Sequence, residues 1–391
     1  MSGEKALVPE LRFPEFEGEW EKTTLGDLTV SLDSKRVPLK SEDRAKRKGI
    51  YPYYGASGII DYIDDYIFDE TLLLLAEDGA NIVNRSTPVA FLAHGRFWVN
   101  NHAHVYRAKG APTFLVEAIE RMDVARFNTG TTMPKLNAAV CAKIPIVAPT
   151  LPEQQKIAAF LDAVSKKITL LTQKREALTD YKRGLMQRLF SGARRFTRPD
   201  GSAFPDWEER KLGELGSFTG GGTPDTNVDG FWTGDIAWVS SSDISENNIH
   251  AVSITRRITD EAVKESATQI TPKGAILIVT RVGIGKCAIA PEDLCTSQDF
   301  TNFVPHTGNA RFFAYWLHFH KRRLLSLAQG TSIKGVTTVD LKRMLVEFPH
   351  PEEQTKIADA LSALDARIDA VSAQISQMEA FKKGLLQKMF V

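Results

Sequence analysis

A short cluster of carboxylates and basic residues has the composition of a nuclease site. Asp206 precedes Glu209 and Lys211, an order of acids and lysine that metal-dependent nucleases use. The three residues lie too close together in the sequence for the two carboxylates to reach one metal ion from neighbouring strands. We therefore interpret the cluster as surface charge, and an autonomous nuclease is the third of three hypotheses for this chain.

A glycine-rich segment carries an incomplete nucleotide-binding pattern. Gly283 and Gly285 precede Lys286 as in a P-loop, but Thr280 stands where the first glycine belongs and Cys287 replaces the serine or threonine. The sequence contains no Pro-Pro dipeptide, so the Asn/Asp-Pro-Pro-Phe/Tyr motif of amino-methyltransferases is absent. The sequence therefore predicts no catalytic residue and no cofactor bound by this chain.

Two pairs of histidines have a spacing of two residues, and both pairs lack the further ligands that a metal needs. His102 and His104 form one pair, and His318 and His320 form the other, with no Cys or third ligand at metal-binding spacing. We interpret these residues as polar histidines whose hydrogen bonds are satisfied within the protein. The sequence predicts no metal site.

Composition and leading residues favour a cytoplasmic protein that does not bind membranes. The three cysteines share no Cys-x-x-Cys spacing and cannot all pair, which is typical of reduced thiols. Residues 1–13 contain no apolar signal segment. The most apolar window, residues 71–76, is far shorter than the roughly 20 residues of a membrane span.

The elements that would position a site are written twice along the chain. The recurring blocks are 20–28 with 207–215, 130–133 with 330–333, 153–158 with 353–358, and 181–187 with 381–387. The offset is 187 residues for the first block and 200 for the others, so the second variable region is 13 residues longer. Because the blocks keep their order while the regions between them differ, the sequence predicts a pseudo-twofold internal repeat.

Each half ends in a helix with the apolar spacing of a coiled coil. Apolar side chains recur in alternating steps of three and four over four heptads, a narrower stripe than an ordinary core-facing helix has. The predicted seam consists of Leu161, Val164, Ile168, Leu171, Leu178, Leu185, Leu361, Leu364, Ile368, Val371, Ile375, Met378 and Leu385. Because the connections are short, we expect the two helices to pair in an antiparallel sense, so that the second returns close to the N-terminus.

These patterns predict an α/β (α+β) protein in which two globular domains are joined by two long helices that form an antiparallel coiled coil. Apolar runs at 72–75, 89–92, 235–239 and 275–279 are predicted strands. The predicted boundaries are 1–150 for the first domain, 151–192 for the central helix, 193–350 for the second domain, and 351–391 for the C-terminal helix.

The doubled motif is similar to that of a known family. Glu-Gln-x-Lys-Ile-Ala, followed by Tyr/Phe-Lys-x-Gly-Leu-x-Gln, comes after each variable region and resembles the specificity subunit of type I restriction-modification systems. Residues 51–58 with 78–80 look like one form of that family's target-recognition domain. Residues 221–224 with 234–239 and 281–285 look like another form. The resemblance covers residues 12–391.

The resemblance implies a non-catalytic subunit that reads DNA for an enzyme complex. Each target-recognition domain would bind one half of a bipartite, asymmetric target in double-stranded DNA, and the helical pair would set the spacer. Two methyltransferase subunits would dock on this chain, and two motor-nuclease subunits would complete the restriction enzyme. S-adenosylmethionine, ATP and Mg²⁺ would be bound by those partners, and no cofactor by this chain.

The net charge of +1 alone argues against a basic nucleic-acid binder, but local sums differ from it. Residues 31–50 carry a net +4 and residues 152–198 a net +7, whereas residues 1–30 carry −4 and residues 351–391 carry −1. Basic stretches of this kind can supply sequence-independent phosphate contacts. Because partners would share phosphate binding, we expect the isolated chain to bind DNA weakly.

Loop residues with paired donors or acceptors are the candidates for contact with bases. In the first domain they are Lys35, Arg36, Tyr53, Tyr54, Asn81 and Arg85, and in the second Ser240, Ser241, Asp243, Asn247, Arg281, Lys286 and Lys334. The repeated Gly-Thr segment adds Thr131, Lys135, Thr331 and Lys334. Since two domains that read different sequences share this segment, we expect it to contact phosphates.

A coiled-coil scaffold that binds only protein is the alternative hypothesis. In that case the two globular domains would act as adaptors for other proteins. The two hypotheses differ in one measurable property, because a protein-only scaffold would show no salt-dependent affinity for DNA even with its partners present.

Overall fold

The chain folds into two compact units. A computed structural model describes residues 6–330 and 334–391. The first unit consists of Met1–Thr172 and Ala373–Val391, and the second of Gln173–Ser372. Each unit therefore contains one globular domain and one part of each long helix.

The first globular domain contains ten strands and five short helices among the residues that the structure describes. The strands are β1 Glu21–Thr24, β2 Thr29–Ser31, β3 Lys48–Gly55, β4 Gly58–Ile63, β5 Phe68–Asp69, β6 Leu72–Ala76, β7 Ala90–Ala93, β8 Arg96–Val99, β9 Ala103–Ala108 and β10 Pro145–Ala148. The helices are α1 Leu25–Leu28, α2 Ser41–Lys46, α3 Asn81–Asn84, α4 Pro112–Arg121 and α5 Ala138–Ala142. The long helix α6, Leu151–Phe190, follows directly.

The second globular domain repeats this order with one strand fewer in the described part of the chain. Its strands are β11 Glu208–Lys211, β12 Gly216–Gly220, β13 Ile236–Val239, β14 Arg256–Ile258, β15 Ile276–Val279, β16 Cys287–Ile289, β17 Leu294–Thr296, β18 Phe300–Pro305 and β19 Leu345–Phe348. Its helices are α7 Leu212–Leu215, α8 Asp260–Lys264, α9 Ala310–Phe319, α10 Lys321–Leu327 and α11 Thr338–Arg343, and the long helix α12 spans Pro351–Met389.

The two domains share one sheet topology although their central sequences differ. The first domain has sheets in the orders β1-β10, β2-β9-β6-β7 and β4-β3-β8-β5. The second has β11-β19, β12-β18-β15-β16 and β14-β13-β17, and the pairs β3–β8 and β13–β17 are both parallel. The predicted strands at 72–75, 89–92, 235–239 and 275–279 are confirmed as β6, β7, β13 and β15. The internal repeat therefore extends through the variable regions.

One interior strand in each domain, β6 in the first and β15 in the second, is apolar at every position because it is covered on both faces. We call it the central strand of its domain. In β6, Leu73 and Leu75 pack in the core that contains Phe114 of α4, whereas Leu72 and Leu74 pack on the opposite side with Phe97. A strand covered on both faces loses the alternation of polar and apolar residues that marks a half-exposed strand. β15 shows the same division of its side chains between two cores.

The two long helices pack against each other within each unit. In the first unit, Leu161 and Val164 of α6 share a core with Leu385 of α12, and in the second unit Leu185 of α6 shares a core with Leu361 of α12. The early part of each helix thus meets the late part of the other, as antiparallel helices do. The predicted coiled-coil pairing is confirmed, and no predicted seam residue is exposed.

Candidate nucleic-acid interface

In both domains, a residue that follows the repeated Gly-Thr segment forms a main-chain hydrogen bond with the residue after the central strand. In the first domain, the N–H of Leu136 donates to the carbonyl oxygen of Glu77 at 2.7 Å, just after β6. In the second, the N–H of Val336 donates to the carbonyl oxygen of Thr280 at 2.8 Å, just after β15. Leu136 and Val336, which follow the two predicted phosphate-contacting segments, therefore occupy equivalent positions at the ends of β6 and β15.

Three predicted contact residues of the first domain are exposed near this edge. Lys35, Thr131 and Lys135 all have exposed side chains. The Nζ of Lys135 lies 3.1 Å from the Glu77 carboxylate, and Arg36, the neighbour of Lys35, lies 2.7 Å from the same carboxylate. The structure thus brings residues from two distant predicted loops to one side of Glu77.

Three other predicted contact residues use their polar groups inside the first domain. Arg36 is held by its ion pair with Glu77, and its side chain is 14% exposed. The Nδ2 of Asn81 donates to the carbonyl oxygen of Thr87 at 3.0 Å, and its Oδ1 accepts the N–H of the same residue at 2.9 Å. Arg85 ends α3 in the left-handed backbone region and pairs with a glutamate of α4. These side chains primarily shape the loops in which they lie.

The prediction that Tyr53 contacts DNA is wrong. Tyr53 is fully buried, and its hydroxyl oxygen accepts the N–H of Leu39 at 2.9 Å. Tyr54 is half-buried between Phe91 and Phe97, and burial raises the pKa of its hydroxyl. The alternation of side chains along β3 makes Tyr53 a core residue, and an aromatic residue in a Tyr-rich run gives no sequence signal of which face it occupies.

In the second domain, Arg281 and Lys334 are the exposed basic residues among the predicted contacts at the strand end. They lie on the two segments that the hydrogen bond after β15 joins. The Nζ of Lys286 donates to the carbonyl oxygen of Ser241 at 3.2 Å and so links a second pair of predicted residues. Thr331 belongs to the segment 331–333, which lies outside the described residues.

The remaining predicted residues of the second domain shape a turn or lie elsewhere. Asp243 accepts the N–H of Ser240 at 2.7 Å and pairs with Arg256 at 2.5 Å. Burial raises the pKa of Asp243, but these hydrogen bonds outweigh that effect and hold the pKa below its ordinary value. Asn247 has an exposed side chain, but its carbonyl oxygen accepts a hydrogen bond from Lys182 of α6. Asp243 is therefore a turn-forming residue, and Asn247 lies beside the helix pair.

The basic stretch 31–50 is largely neutralised by acids from a neighbouring strand and the loop after it. Lys48 lies 2.6 Å and Arg44 3.4 Å from the carboxylate of Asp61, and Arg47 lies 2.9 Å from Asp64. The local sum of +4 misled because the acids lie outside the summed window. This stretch therefore supplies much less free positive charge than its sequence indicates.

The glutamate of the Glu-Gln-x-Lys-Ile-Ala motif connects each long helix to the segment that precedes the neighbouring globular domain in the sequence. The guanidinium of Arg12 forms a two-point ion pair with Glu153, with distances of 2.8 and 2.7 Å. Arg195 binds Glu353 in the same way, at 2.8 Å for both contacts. Both glutamates are almost fully buried. The internal repeat reveals the glutamates but not their arginine partners, because the offset between the two arginines differs from that between the glutamates.

The lysine of the Tyr/Phe-Lys-x-Gly-Leu-x-Gln motif connects the helix pair to a globular domain in each unit. Lys182 is 6% exposed and lies 2.5 Å from Asp365 of α12, whose other oxygen accepts the hydroxyl of Tyr315 at 2.6 Å. In the first unit, Lys382 lies 2.9 Å from Glu117 of α4. Glu117 and Tyr315 occupy corresponding helices, so both repeated lysines anchor the same element by different partners.

A buried network around Glu77 and His104 was not predicted from the sequence. His104 is buried, and both of its ring nitrogens have hydrogen-bond partners, as we expected of a polar histidine. Glu77 was not among the candidates, although it directly follows an all-apolar strand and so stands where the sheet edge begins. That position is the signal by which it could have been found.

Residues 6–330 and 334–391 contain neither a candidate metal cluster nor a candidate membrane-spanning helix. Across these residues there is no group of three His, Cys, Asp or Glu side chains that could hold a metal ion. Over the same range there is no helix long and apolar enough to cross a membrane.

Comparison with known families decides the assignment. The family described as the type I restriction modification DNA specificity domain matches residues 17–180 and again residues 205–380. The chain belongs to this family. The two matches correspond to the two halves of the internal repeat, and they confirm the resemblance that the doubled motif indicates.

Individual members of the specificity family match at moderate identity. The MjaIX specificity subunit of Methanocaldococcus jannaschii is 34% identical over 190 residues, which is 48% of this chain and 44% of that protein. The MjaVIII specificity subunit of the same organism is 23% identical over 414 residues and spans 96% of this chain and 92% of that protein. This chain thus spans less than half of the first relative and most of the second.

Solved structures of specificity subunits share the fold. The crystal structure of a type I restriction-modification S subunit from M. genitalium aligns with a TM-score of 0.67 over 98% of this chain and 99% of that one, at 16% identity. A second structure, from work on complex assembly and conformational transition of the type I system, aligns with a TM-score of 0.53 over 96% and 97%. Membership of the specificity family does not favour the protein-only scaffold, and specificity subunits are non-catalytic components of these systems.

Proposed function

We propose that this chain selects the DNA target of a type I restriction-modification enzyme. Each globular domain reads one half of a bipartite, asymmetric target in double-stranded DNA, and the helical pair sets the spacer between the half-sites. The edge at the end of β6 and β15, with the repeated Gly-Thr segment beside it, faces the DNA in each domain.

One observation carries this proposal: the two domains have the same framework but different side chains at equivalent edge positions. Glu77 and Asp78 follow β6, whereas Thr280 and Arg281 follow β15. Two domains that bind different half-sites need a common fold and different base-contacting residues, because base edges in the major groove differ in their donors and acceptors.

The proposed partners follow from the internal repeat. Two copies of a methyltransferase subunit dock on this chain, because a molecule with two equivalent halves presents two equivalent surfaces. Two motor-nuclease subunits complete the restriction enzyme. S-adenosylmethionine belongs to the methyltransferase subunits, and ATP and Mg²⁺ to the motor subunits, so this chain needs no cofactor. The complex works in the cytoplasm, where host and invading DNA are found.

Mapping of modified bases tests the proposal directly. The methylated bases of the host genome are compared with this gene intact, deleted and restored. We expect one family of sites, each with two fixed base blocks separated by an unread spacer, to lose methylation on deletion and regain it on restoration. Footprinting of the complex with its methyltransferase subunits should show two protected patches at such a site.

Two results would contradict the proposal. A single contiguous recognition sequence would exclude two domains that bind different half-sites. A complex with no salt-dependent DNA affinity would favour the protein-only scaffold instead. Cleavage by the purified chain that needs a metal and is lost in Asp206→Ala/Glu209→Ala would support an autonomous nuclease.

A further inference from the structure

His104 is a buried cation at the centre of a charged network in the first unit. Its side chain is 2% exposed, Nδ1 lies 2.6 Å from the Asp33 carboxylate, and Nε2 lies 2.7 Å from the carbonyl oxygen of Leu136. Because both neighbours are acceptors, each ring nitrogen must carry a proton. Burial is the largest single effect and lowers the pKa of His104, but the hydrogen bonds to Asp33 and Leu136 and the interaction with Cys141 together outweigh it and raise the pKa to about 10.

Other titratable groups face the imidazolium from every side. The Glu77 carboxylate, from the end of β6, lies 3.7 Å from Nδ1. The ring of Tyr106 on β9 lies 6.0 Å away between ring centroids, and the buried thiol of Cys141 on α5 adds a hydrogen bond that raises the pKa of His104 further. Burial raises the pKa of Tyr106, so it contributes no charge. The anionic neighbours of His104 are therefore the carboxylates of Asp33 and Glu77, and the guanidinium of Arg36 pairs with both of them.

The network joins the three segments that carry the predicted DNA contacts of the first domain. Asp33 starts the segment with Lys35, and Glu77 binds both Arg36 and Lys135. Leu136 ends the repeated Gly-Thr segment, and both of its main-chain groups are held. Its N–H donates to the carbonyl oxygen of Glu77, and its carbonyl oxygen accepts from His104.

In the second domain, the residues at the positions of His104 and Glu77 are uncharged. Thr301 on β18 pairs with Ile278 of the central strand, as His104 on β9 pairs with Leu75. The hydroxyl of Thr301 lies 3.3 Å from the hydroxyl of Thr280, which takes the place of Glu77. The main-chain hydrogen bond that joins the Gly-Thr segment to the strand end is retained. The chain therefore contains its own uncharged counterpart of the His104 site.

We propose that His104 is a positioning residue for DNA reading by the first unit, and that recognition of the first half-site depends on it while recognition of the second does not. The imidazolium ties the end of the Gly-Thr segment to the Asp33 and Glu77 segments, so that their exposed lysines keep one arrangement. This inference rests on the proposed function.

The test measures the two half-sites separately. The full chain, assembled with its methyltransferase subunits, is titrated with three duplexes: the intact target, the target with a scrambled first half, and the target with a scrambled second half. We expect His104→Gln to weaken binding of the intact target by at least about tenfold and to lose most of the penalty for scrambling the first half. The penalty for scrambling the second half should stay at its wild-type value.

Two further variants and one second measurement make the result decisive. Glu77→Gln, which leaves His104 in place, should reproduce the loss at the first half-site, whereas Thr301→Val should leave the first half-site unchanged. Hydrogen exchange should accelerate at residues 129–136 in His104→Gln and stay slow in α4. Equal losses at both half-sites, or unchanged exchange at 129–136, would overturn the positioning role. If the wild-type complex bound the scrambled duplexes as tightly as the intact target, the proposed function would be refuted. Hydrogen exchange at residues 129–136 would still test whether His104 positions this segment.

Discussion

Side chains at the strand ends divide into those that the two domains share and those that differ. The repeated Gly-Thr segment is followed closely by an exposed lysine in both domains, Lys135 in the first and Lys334 in the second. The residue after the first strand-end position is Asp78 in one domain and Arg281 in the other. A shared contact cannot distinguish two half-sites, so the lysines suit phosphates and Arg281 suits a base edge.

Replacement of Arg281 and of Lys334 by alanine should therefore have different effects on DNA binding. Arg281→Ala should cost about 1–3 kcal/mol on the intact target and relax the preference at one base pair of the second half-site. Lys334→Ala should weaken binding by a similar factor on every sequence and reduce the salt dependence by about one counterion. Affinities for a set of single-base target variants at two or more salt concentrations measure both effects.

An exposed arginine away from both strand ends provides the control. Arg183 on α6 is 77% exposed and pairs with Asp180 of the same helix. Arg183→Ala should leave target preference unchanged. Identical base preferences in Arg281→Ala and the wild-type protein would remove Arg281 from the base-reading residues.

The raised pKa of His104 makes stability depend on pH in a defined direction. A folded-state pKa of about 10, against about 6.5 in the unfolded chain, stabilises the fold fully below pH 6.5 and progressively less as pH rises towards 10. We expect the free energy of unfolding to decline over this range by up to a few kcal/mol more in the wild-type protein than in His104→Gln. Urea unfolding at several pH values measures the difference, and parallel curves for the two proteins would contradict the charged assignment.

At the scale of elements, the long helices could be read from the sequence because their signal is local and repeated. Heptad spacing predicted that the two helices pair, and in the structure α6 spans Leu151–Phe190 and α12 spans Pro351–Met389. The common topology of the two variable regions could not be read in the same way. Equivalent positions in the two domains are occupied by residues as different as His104 and Thr301. Charged and uncharged side chains can both occupy the same position in the same pattern of strand pairing.

Contacts between neighbouring elements, which residue type alone does not reveal, explain the errors about the basic stretch and about Tyr53. The acids that neutralise Arg44 and Arg47 come from β4 and the loop after it, and the face that buries Tyr53 is fixed by the register of β3 against β8. Neither pairing has a local sequence signal. Predictions made from residue type in a loop succeeded for Lys35, Lys135 and Arg281 only in that these side chains are exposed; their contact with DNA stays a prediction.

The buried ion pair between the two long helices supports a prediction at this scale. Lys182 and Asp365 are both almost fully buried, so Lys182→Met should cost about 3–5 kcal/mol of unfolding free energy by leaving a buried carboxylate without its cation. Lys382→Met, the equivalent change in the first unit, should cost about 1 kcal/mol or less, because the side chain of Lys382 is 27% exposed. Chemical denaturation of the two variants compares them directly.

A double variant separates the charge from the packing at this site. Lys182→Met/Asp365→Leu removes both charges and should recover much of the loss, since apolar replacement of a buried pair is often neutral. The hydroxyl of Tyr315 then loses its acceptor, so recovery should be incomplete. A double variant as unstable as Lys182→Met would show that packing rather than the unpaired charge causes the loss.

At the scale of the whole molecule, the formal charge and the usable charge are different quantities. The chain has 49 basic and 48 acidic residues, and many of the basic ones have partners inside the protein. Arg12, Arg195 and Lys182 bind buried carboxylates, and Arg36 and Arg44 pair with acids of the first domain. Fewer unpaired cations therefore remain in the described residues than the formal count indicates, and Lys35, Lys135, Arg281 and Lys334 are exposed near the two strand ends.

This distribution predicts that tight DNA binding needs the partner subunits. The isolated chain should bind its target weakly at physiological salt, with a shallow dependence on salt, because few phosphates are neutralised. Addition of methyltransferase subunits should raise affinity and steepen the slope of log affinity against log salt concentration, since each further phosphate contact releases a counterion. Titrations of one labelled duplex with the chain alone and with the complex, at four salt concentrations, give both slopes. Equal slopes would mean that the partners add no phosphate contacts, and tight binding by the chain alone would show that the exposed lysines at the two strand ends suffice.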